Sequence, residues 1–283
     1  MHLKKISYTA IKAFIIGSTM TVPGVSGGSM AMILGEYNTL IESIPGLLKK
    51  DRFKESFIYL LTFLIAGLLG VFLISKPLSM LLESSYMIVM YFFIGAVIAT
   101  VPTIVRASGI TEKREKAATY IPYLLYAVAG AILVYSIRFI PEGIFTPSLE
   151  LSISSILSQL IGGFLLSIGF VLPGISISYL LIVVGLYETI LNAVSSLDIL
   201  PLIPLGIGGI IGIFTLTGFL TWAMEKHPKV TYLIILGFLI GSISSVFPGF
   251  PSGINILWCL ISSIIGFSAI YMLSRAERNR NQA

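Results

Sequence analysis

The chain has 283 residues, 56% of them hydrophobic and 11% charged, with a mean hydropathy of +0.97. A soluble domain carries about 25% charged residues, so the composition excludes a soluble protein and defines an integral membrane protein. The net charge of +5 is no nucleic-acid signature, because the basic residues sit in short loops between apolar runs and so report topology. The one cysteine, Cys259, excludes an intramolecular disulfide. His2 and His227 stand in polar flanks, and without a Cys/His cluster neither a metal site nor a cofactor is expected.

In chain order, the apolar segments cover about 8–22, 28–45, 56–75, 86–105, 118–140, 152–171, 178–196, 201–223, 231–247 and 255–274. A full membrane crossing needs about 20 residues. The basic N-terminus leads through the first segment into a Pro-Gly motif rather than into a cleavage site, so no cleavable signal peptide is expected. That motif, Val22-Pro23-Gly24-Val25-Ser26-Gly27-Gly28-Ser29, returns as Leu172-Pro173-Gly174-Ile175-Ser176-Ile177-Ser178-Tyr179, a constant 150 residues later. Gly35 and Gly185 continue the match, as do Tyr37 and Tyr187.

The Lys/Arg distribution sets the path. Basic residues flank the first motif on both sides, at Lys4, Lys5 and Lys12 and again at Lys49, Lys50, Arg52 and Lys54. If cytoplasmic loops hold the basic residues, segment 8–45 is a re-entrant hairpin with both ends cytoplasmic. Crossings at 56–75, 86–105 and 118–140 follow, with residues 76–85 as an outer loop. A second hairpin over 152–196 then enters from the outer face, and crossings at 201–223, 231–247 and 255–274 return the C-terminus to the cytoplasm. Of the 18 basic residues, all but Lys76 and Arg138 fall inside.

Two further matches extend the repeat. Ala66-Gly67-Leu68-Leu69-Gly70 pairs with Gly208-Gly209-Ile210-Ile211-Gly212, and Gly95 through Pro102 pairs with Gly241 through Pro248. The expected fold is all-α: residues 1–145 and 146–283 each hold one re-entrant hairpin and three crossings. Three is odd, so the halves insert in opposite orientations, the inverted-repeat plan of many secondary transporters. The two hairpin tips should meet near the midplane.

The motif chemistry suits an anion. Proline removes a donor and ends the preceding helix, while Gly24, Gly27 and Gly28 permit close backbone approach and positive φ. Ser26 or Ser29, and Ser176 or Ser178, can cap the helix that follows. The product is a helix N-terminus with free N–H groups, a setting that binds phosphate or carboxylate without a lysine. The same glycines would also serve tight helix packing, but two copies at matched positions favour a site.

The remaining candidates are coupling or gating residues. Glu36 lies eight residues past Gly28, roughly 12 Å along a helix, which places it near the cytoplasmic interface, where it can snorkel. Glu188 is its rough counterpart at the outer face. Arg106 and Arg138 end two crossings, where arginine suits phosphate and equally suits anchoring. Tyr37 and Tyr187 can bond a substrate, with an interfacial belt as the plainer reading.

PGVSGGSMAMILGEY, LPGISISYLLIVVGLYE and IGAVIATVP together resemble the bacterial polyprenyl-phosphate translocase family called PopT, over essentially the whole chain. The resemblance implies a flippase of the bacterial cytoplasmic membrane that returns undecaprenyl phosphate, or a related polyprenyl phosphate, from the outer to the inner leaflet for reuse in cell-wall synthesis. It implies no catalytic residue and no cofactor. Carried over by position, Pro23, Gly24, Ser26, Gly27, Gly28, Ser29, Pro173, Gly174, Ser176 and Ser178 hold the phosphate. The chain departs from the pattern at Thr19-Met20-Thr21, where many relatives have an acid, and at Ile177, where many have glycine. A transporter of a small soluble anion is the alternative, since helix-end sites do not sense the tail. A membrane polyprenyl-diphosphate phosphatase is disfavoured, because neither motif holds a His, Arg, Asp or Lys to act on the phosphate. The sequence does not define the oligomeric state.

Overall fold

A computed structural model describes residues 2–20, 22, 25–110, 117–141, 143, 153–186, 190, 193 and 202–282, with the side chains of 2–5, 117–120, 138, 178, 179 and 277–282 excepted. The described elements are all helical. In order they are α1 (His2–Thr19), α2 (Gly27–Ile33), α3 (Tyr37–Gly46), α4 (Phe53–Ala107), α5 (Ala117–Ser136), α6 (Ile153–Val171), α7 (Ile177–Val184), α8 (Ile203–Lys226), α9 (Pro228–Val246) and α10 (Asn255–Gln282). Helices are what such apolar runs must form in lipid, where every backbone polar group has to find its partner within the chain. Five helices (α4, α6, α8, α9 and α10) are long and apolar enough to cross a membrane, and α5 adds a shorter apolar stretch from Ile121 to Ser136. The chain is a multi-pass membrane protein.

Three expected boundaries are corrected. Residues 76–85 do not form a loop: α4 stays helical through Pro77 as far as Ser84, and only Ser85, at φ −146° and ψ 41°, leaves helical geometry. Ser85 divides α4 into two limbs. The segments expected at 28–45 and 178–196 are not continuous helices either. Each breaks at its glycine, Gly35 (φ +70°) and Gly185 (φ +77°), a left-handed conformation that carries little penalty only for glycine. The two breaks are the same Schellman turn. Glu36 N–H donates to Ala31 C=O at 2.8 Å and Leu186 N–H to Leu181 C=O at 2.9 Å. Gly35 N–H reaches Met32 C=O and Gly185 N–H reaches Ile182 C=O, at 3.1 and 3.0 Å.

Between helices in lipid there is no hydrophobic drive, so packing relies on small residues that let backbones touch. In α1 and the first limb of α4, a side chain at Gly17 would strike the Gly67 backbone and one at Gly70 the Phe14 carbonyl. The pair α6 and α8 repeats this, with Gly208 against Leu160 and Gly163 against Leu205. The second limb of α4 packs on α10 through Gly95 on Ser263 and Gly266 on Phe92, while α9 packs on α5 through Gly237 on Ala127 and Gly130 on Ile234. The last helix of each half therefore packs on the other half, which knits the two together.

These contacts also correct the repeat register. Gly67 and Gly209, Phe92 and Ile234, and Gly95 and Gly237 make matching backbone contacts, all 142 residues apart. The sequence match of Gly95 with Gly241 is four residues, about one helical turn, out of step. The main core joins side chains of α1, α2, α3, the second limb of α4, α8 and α9, including Ile16, Met30, Tyr37, Met90, Leu220 and Leu239. A smaller core surrounds α6 and α7.

Candidate functional site where the two motifs meet

Both motif loops lie against each other. In the first, Ser26 is extended (φ −93°, ψ 147°) and caps α2, its Oγ accepting from Ser29 N–H at 3.1 Å. The Ser26 and Ser29 hydroxyls are 2.8 Å apart. In the second, Gly174 turns the chain at φ +87°, and its N–H donates to Ser29 Oγ at 2.8 Å and to Ser26 Oγ at 3.1 Å. Both serines are buried. Gly28 stands against Pro173, where an added Cβ would come within 3.2 Å of the proline Cα. The local reason is the motif itself: proline ends the incoming helix, the serine restarts one, and glycine lets the opposing backbone approach.

This geometry corrects one expectation and refines another. The N–H groups of Ser29 and Gly174 are not free, because serine oxygens occupy both. Ser176 sits at the N-cap of α7 but makes no side-chain cap bond. The Ser26–Ser29 pair holds two hydroxyl protons and uses one between its own oxygens. The other has no acceptor among the described residues. Pro23 and Gly24, and the Ser178 side chain, lie outside the described residues.

Sequence reasoning missed the wall behind the second motif. Gly174 rests on the Phe238 carbonyl and on Ser242, whose Cβ would be 3.2 Å from a Cβ at 174. Ser242 and Thr100 are both buried, and both bond their own helix, at Leu239 and Val97. The register of 142 pairs them; the sequence match did not.

Glu36 does not snorkel to solvent. It is buried, its carboxylate 3.1 Å from Lys12 Nζ and accepting from Tyr59 Oη at 2.9 Å. Its counterpart at the constant offset of 150 is Leu186, not Glu188, and that of Lys12 is Gly162. In the second half those positions form an apolar contact, with Leu186 Cδ1 at 2.9 Å from where a Gly162 Cβ would stand. Tyr37 is not a belt residue either. It is only 1% exposed, and its hydroxyl donates to the Val171 carbonyl at 2.8 Å, bracing the first hairpin against the start of the second motif. Tyr37→Phe leaves that buried carbonyl unpaired, at a cost of about 1–3 kcal/mol; a lowered melting temperature in detergent checks it. Arg106 is exposed in the last turn of α4. Tyr187, Glu188 and the Arg138 side chain lie outside the described residues.

The fold and site define a polytopic helical membrane protein with two motif loops apposed in its interior. A family model described as undecaprenyl phosphate translocase-like matches residues 16–252. A polyprenyl-phosphate transporter of Staphylococcus aureus is 33% identical over 275 residues, covering 94% of this chain and 95% of that protein. A polyprenyl-phosphate transporter of Vibrio cholerae is 29% identical over 252 residues, covering 85% of this chain and 77% of that protein. No solved structure matches the chain. The chain belongs to the undecaprenyl phosphate translocase-like family, and it is a transporter, not an enzyme.

Proposed function

We propose that this protein is a flippase that returns undecaprenyl phosphate, or a close polyprenyl relative, from the outer to the inner leaflet of the bacterial cytoplasmic membrane. The observation that carries the reading is the clasp between motifs, Gly174 N–H on Ser26 and Ser29. A phosphate oxygen entering there replaces the serine oxygens as acceptor for the N–H groups of Gly174 and Ser29 and breaks the bond between the two hydroxyls, so that both serines donate to it. Four donors (two hydroxyls and the N–H groups of Ser29 and Gly174) then converge from both halves, and the site holds an anion by dipoles rather than by a fixed cation. Opening and closing this clasp exposes the phosphate to one face and then the other. Inverted halves, with both termini cytoplasmic, give that alternation its symmetry. Pro23, Gly24, Gly27, Gly28, Pro173, Ser176 and Ser178 shape the two loops. The relatives' names support the lipid class.

The test uses protein in liposomes doped with undecaprenyl phosphate and a membrane-impermeant phosphatase outside. Empty liposomes should release phosphate only from the outer leaflet. Active protein should make the entire lipid pool hydrolysable. Release no greater than in empty liposomes, with uptake of inorganic phosphate instead, would replace the lipid by a soluble anion.

A further inference from the structure

The transport reading gives no role to Lys12, Glu36 and Tyr59, although they form a charged cluster in an otherwise apolar interior. Lys12 is 3% exposed and Glu36 7%. Burying an ion pair is costly, and a well-packed apolar pair of similar volume is often as stable or more so. The equivalent place in the second half carries no charge: Gly162 stands there against Leu186. The fold is thus built without an ion pair at that place, which calls for another reason to keep one in the first half.

Its surroundings supply one. Tyr59, the hydrogen-bond donor to Glu36, also lines a cavity of about 280 Å³ between α1, α3 and the first limb of α4. The cavity wall mixes apolar surface with polar side chains, Thr9, Asn38, Glu42, Arg52 and Glu55 among them. It lies on the side of the Lys49–Lys54 loop, the face assigned to the cytoplasm by its basic residues. Tyr59 is the one side chain that both lines the cavity and bonds Glu36 among the described residues. On the far side, Glu36 is followed directly by Tyr37, the brace to Val171 and the second motif.

We propose that Glu36 is a proton-coupling site of the transport cycle, filled from the cavity by way of Tyr59, with Lys12 as its internal counter-cation. A proton leaves cavity water for the carboxylate of Glu36, by way of the Tyr59 hydroxyl, which gives up one proton as it gains another. Neutral Glu36 then releases Lys12, and the loss of the ion pair frees α1 from the α2–α3 arm that Tyr37 ties to the second motif. The ion is a proton rather than a metal cation because both partners of the carboxylate are donors, an ammonium and a phenol, whereas hard cations need several oxygens. No cluster of three or more His, Cys, Asp or Glu that could hold a metal occurs among the described residues. The other groups facing Glu36 are few. From α1, Tyr8 stacks under Lys12 at 4.5 Å. Glu42, Arg52 and Glu55 stand on the cavity wall, and Tyr232 of α9 is reached through Asn38.

This inference rests on the transport reading, and the experiment separates the two. The key variant is Lys12→Met/Glu36→Leu, an uncharged pair of similar volume. Infrared difference spectra of the purified protein, taken between alkaline and acidic pH, should show a protonated carboxyl band that Glu36→Gln removes. In liposomes, flipping of undecaprenyl phosphate should vary at least tenfold with pH in the wild type, and Tyr59→Phe should slow it at least tenfold. The double variant should keep lipid binding and flip at a rate that no longer responds to pH. Absence of the Glu36 band, or an unchanged pH profile in the double variant, overturns the coupling site. A Glu36 band in a protein that flips no polyprenyl phosphate at any pH overturns the transport reading and, with it, the coupling role.

Discussion

Ser26→Ala/Ser29→Ala is expected to abolish lipid flipping while each single variant retains a part. The Gly174 N–H is shared between the two hydroxyl oxygens, so either serine alone still accepts it. With both gone, a buried N–H has no partner, at a cost of about 1–3 kcal/mol, and α2 loses its cap, worth about 1 kcal/mol. The substrate loses more. A hydrogen bond to a charged group contributes about 1.5–3 kcal/mol, so removing two donors weakens phosphate binding by more than about a hundredfold. Binding of undecaprenyl phosphate to the purified protein, across wild type, both singles and the double, measures this as a double-mutant cycle. The two sites share one proton donor, so the cycle should be strongly non-additive. Additive singles would mean that the serines act separately and that the clasp is not the phosphate site.

Gly174→Ala should be the most damaging single substitution in the second motif. Gly174 stands at φ +87°, where an L residue is strained by about 1–2 kcal/mol. Its Cβ would also strike the Phe238 carbonyl and crowd Ser242, and backbone inside a packed helix does not yield cheaply. A total above about 3 kcal/mol is expected, in the range that core overpacking produces. Gly249 is the internal control: it has φ +95° with nothing within 4 Å of an added Cβ, so Gly249→Ala meets backbone strain alone. Thermal unfolding in detergent should show a small shift for Gly249→Ala and a large one for Gly174→Ala. The alanine keeps its N–H, so loss of flipping in Gly174→Ala would come from displacement of the donor rather than its removal. Equal shifts for the two variants would mean that the wall formed by Phe238 and Ser242 has room to move.

What the sequence determined by itself is what local chemistry encodes. Apolar runs of crossing length and few charges define a multi-pass helical protein, because lipid leaves the backbone no other solution. The recurrence of Pro-Gly-x-Ser and of Gly35 at a fixed offset marks the two loops, because proline, glycine and a capping serine act within a few residues of themselves. Family membership was legible for the same reason.

The tertiary structure decided everything that depends on residues distant in sequence. Lys12 read as a topology marker and Glu36 as a snorkelling acid, since nothing near either shows that α1 turns one toward the other to form a 3.1 Å pair. Tyr37 read as a belt residue until its hydroxyl was found 2.8 Å from Val171 oxygen, 134 residues away. The motif N–H groups read as free because their acceptors come partly from the other half of the chain. The register of 142 between Gly95 and Gly237 could not be fixed from apolar sequence, where a shift of one helical turn brings the same face round again and only the contacts with Ser263 and Ala127 choose. Periodicity gives each helix its face, but which face meets which partner is settled only where backbones pack.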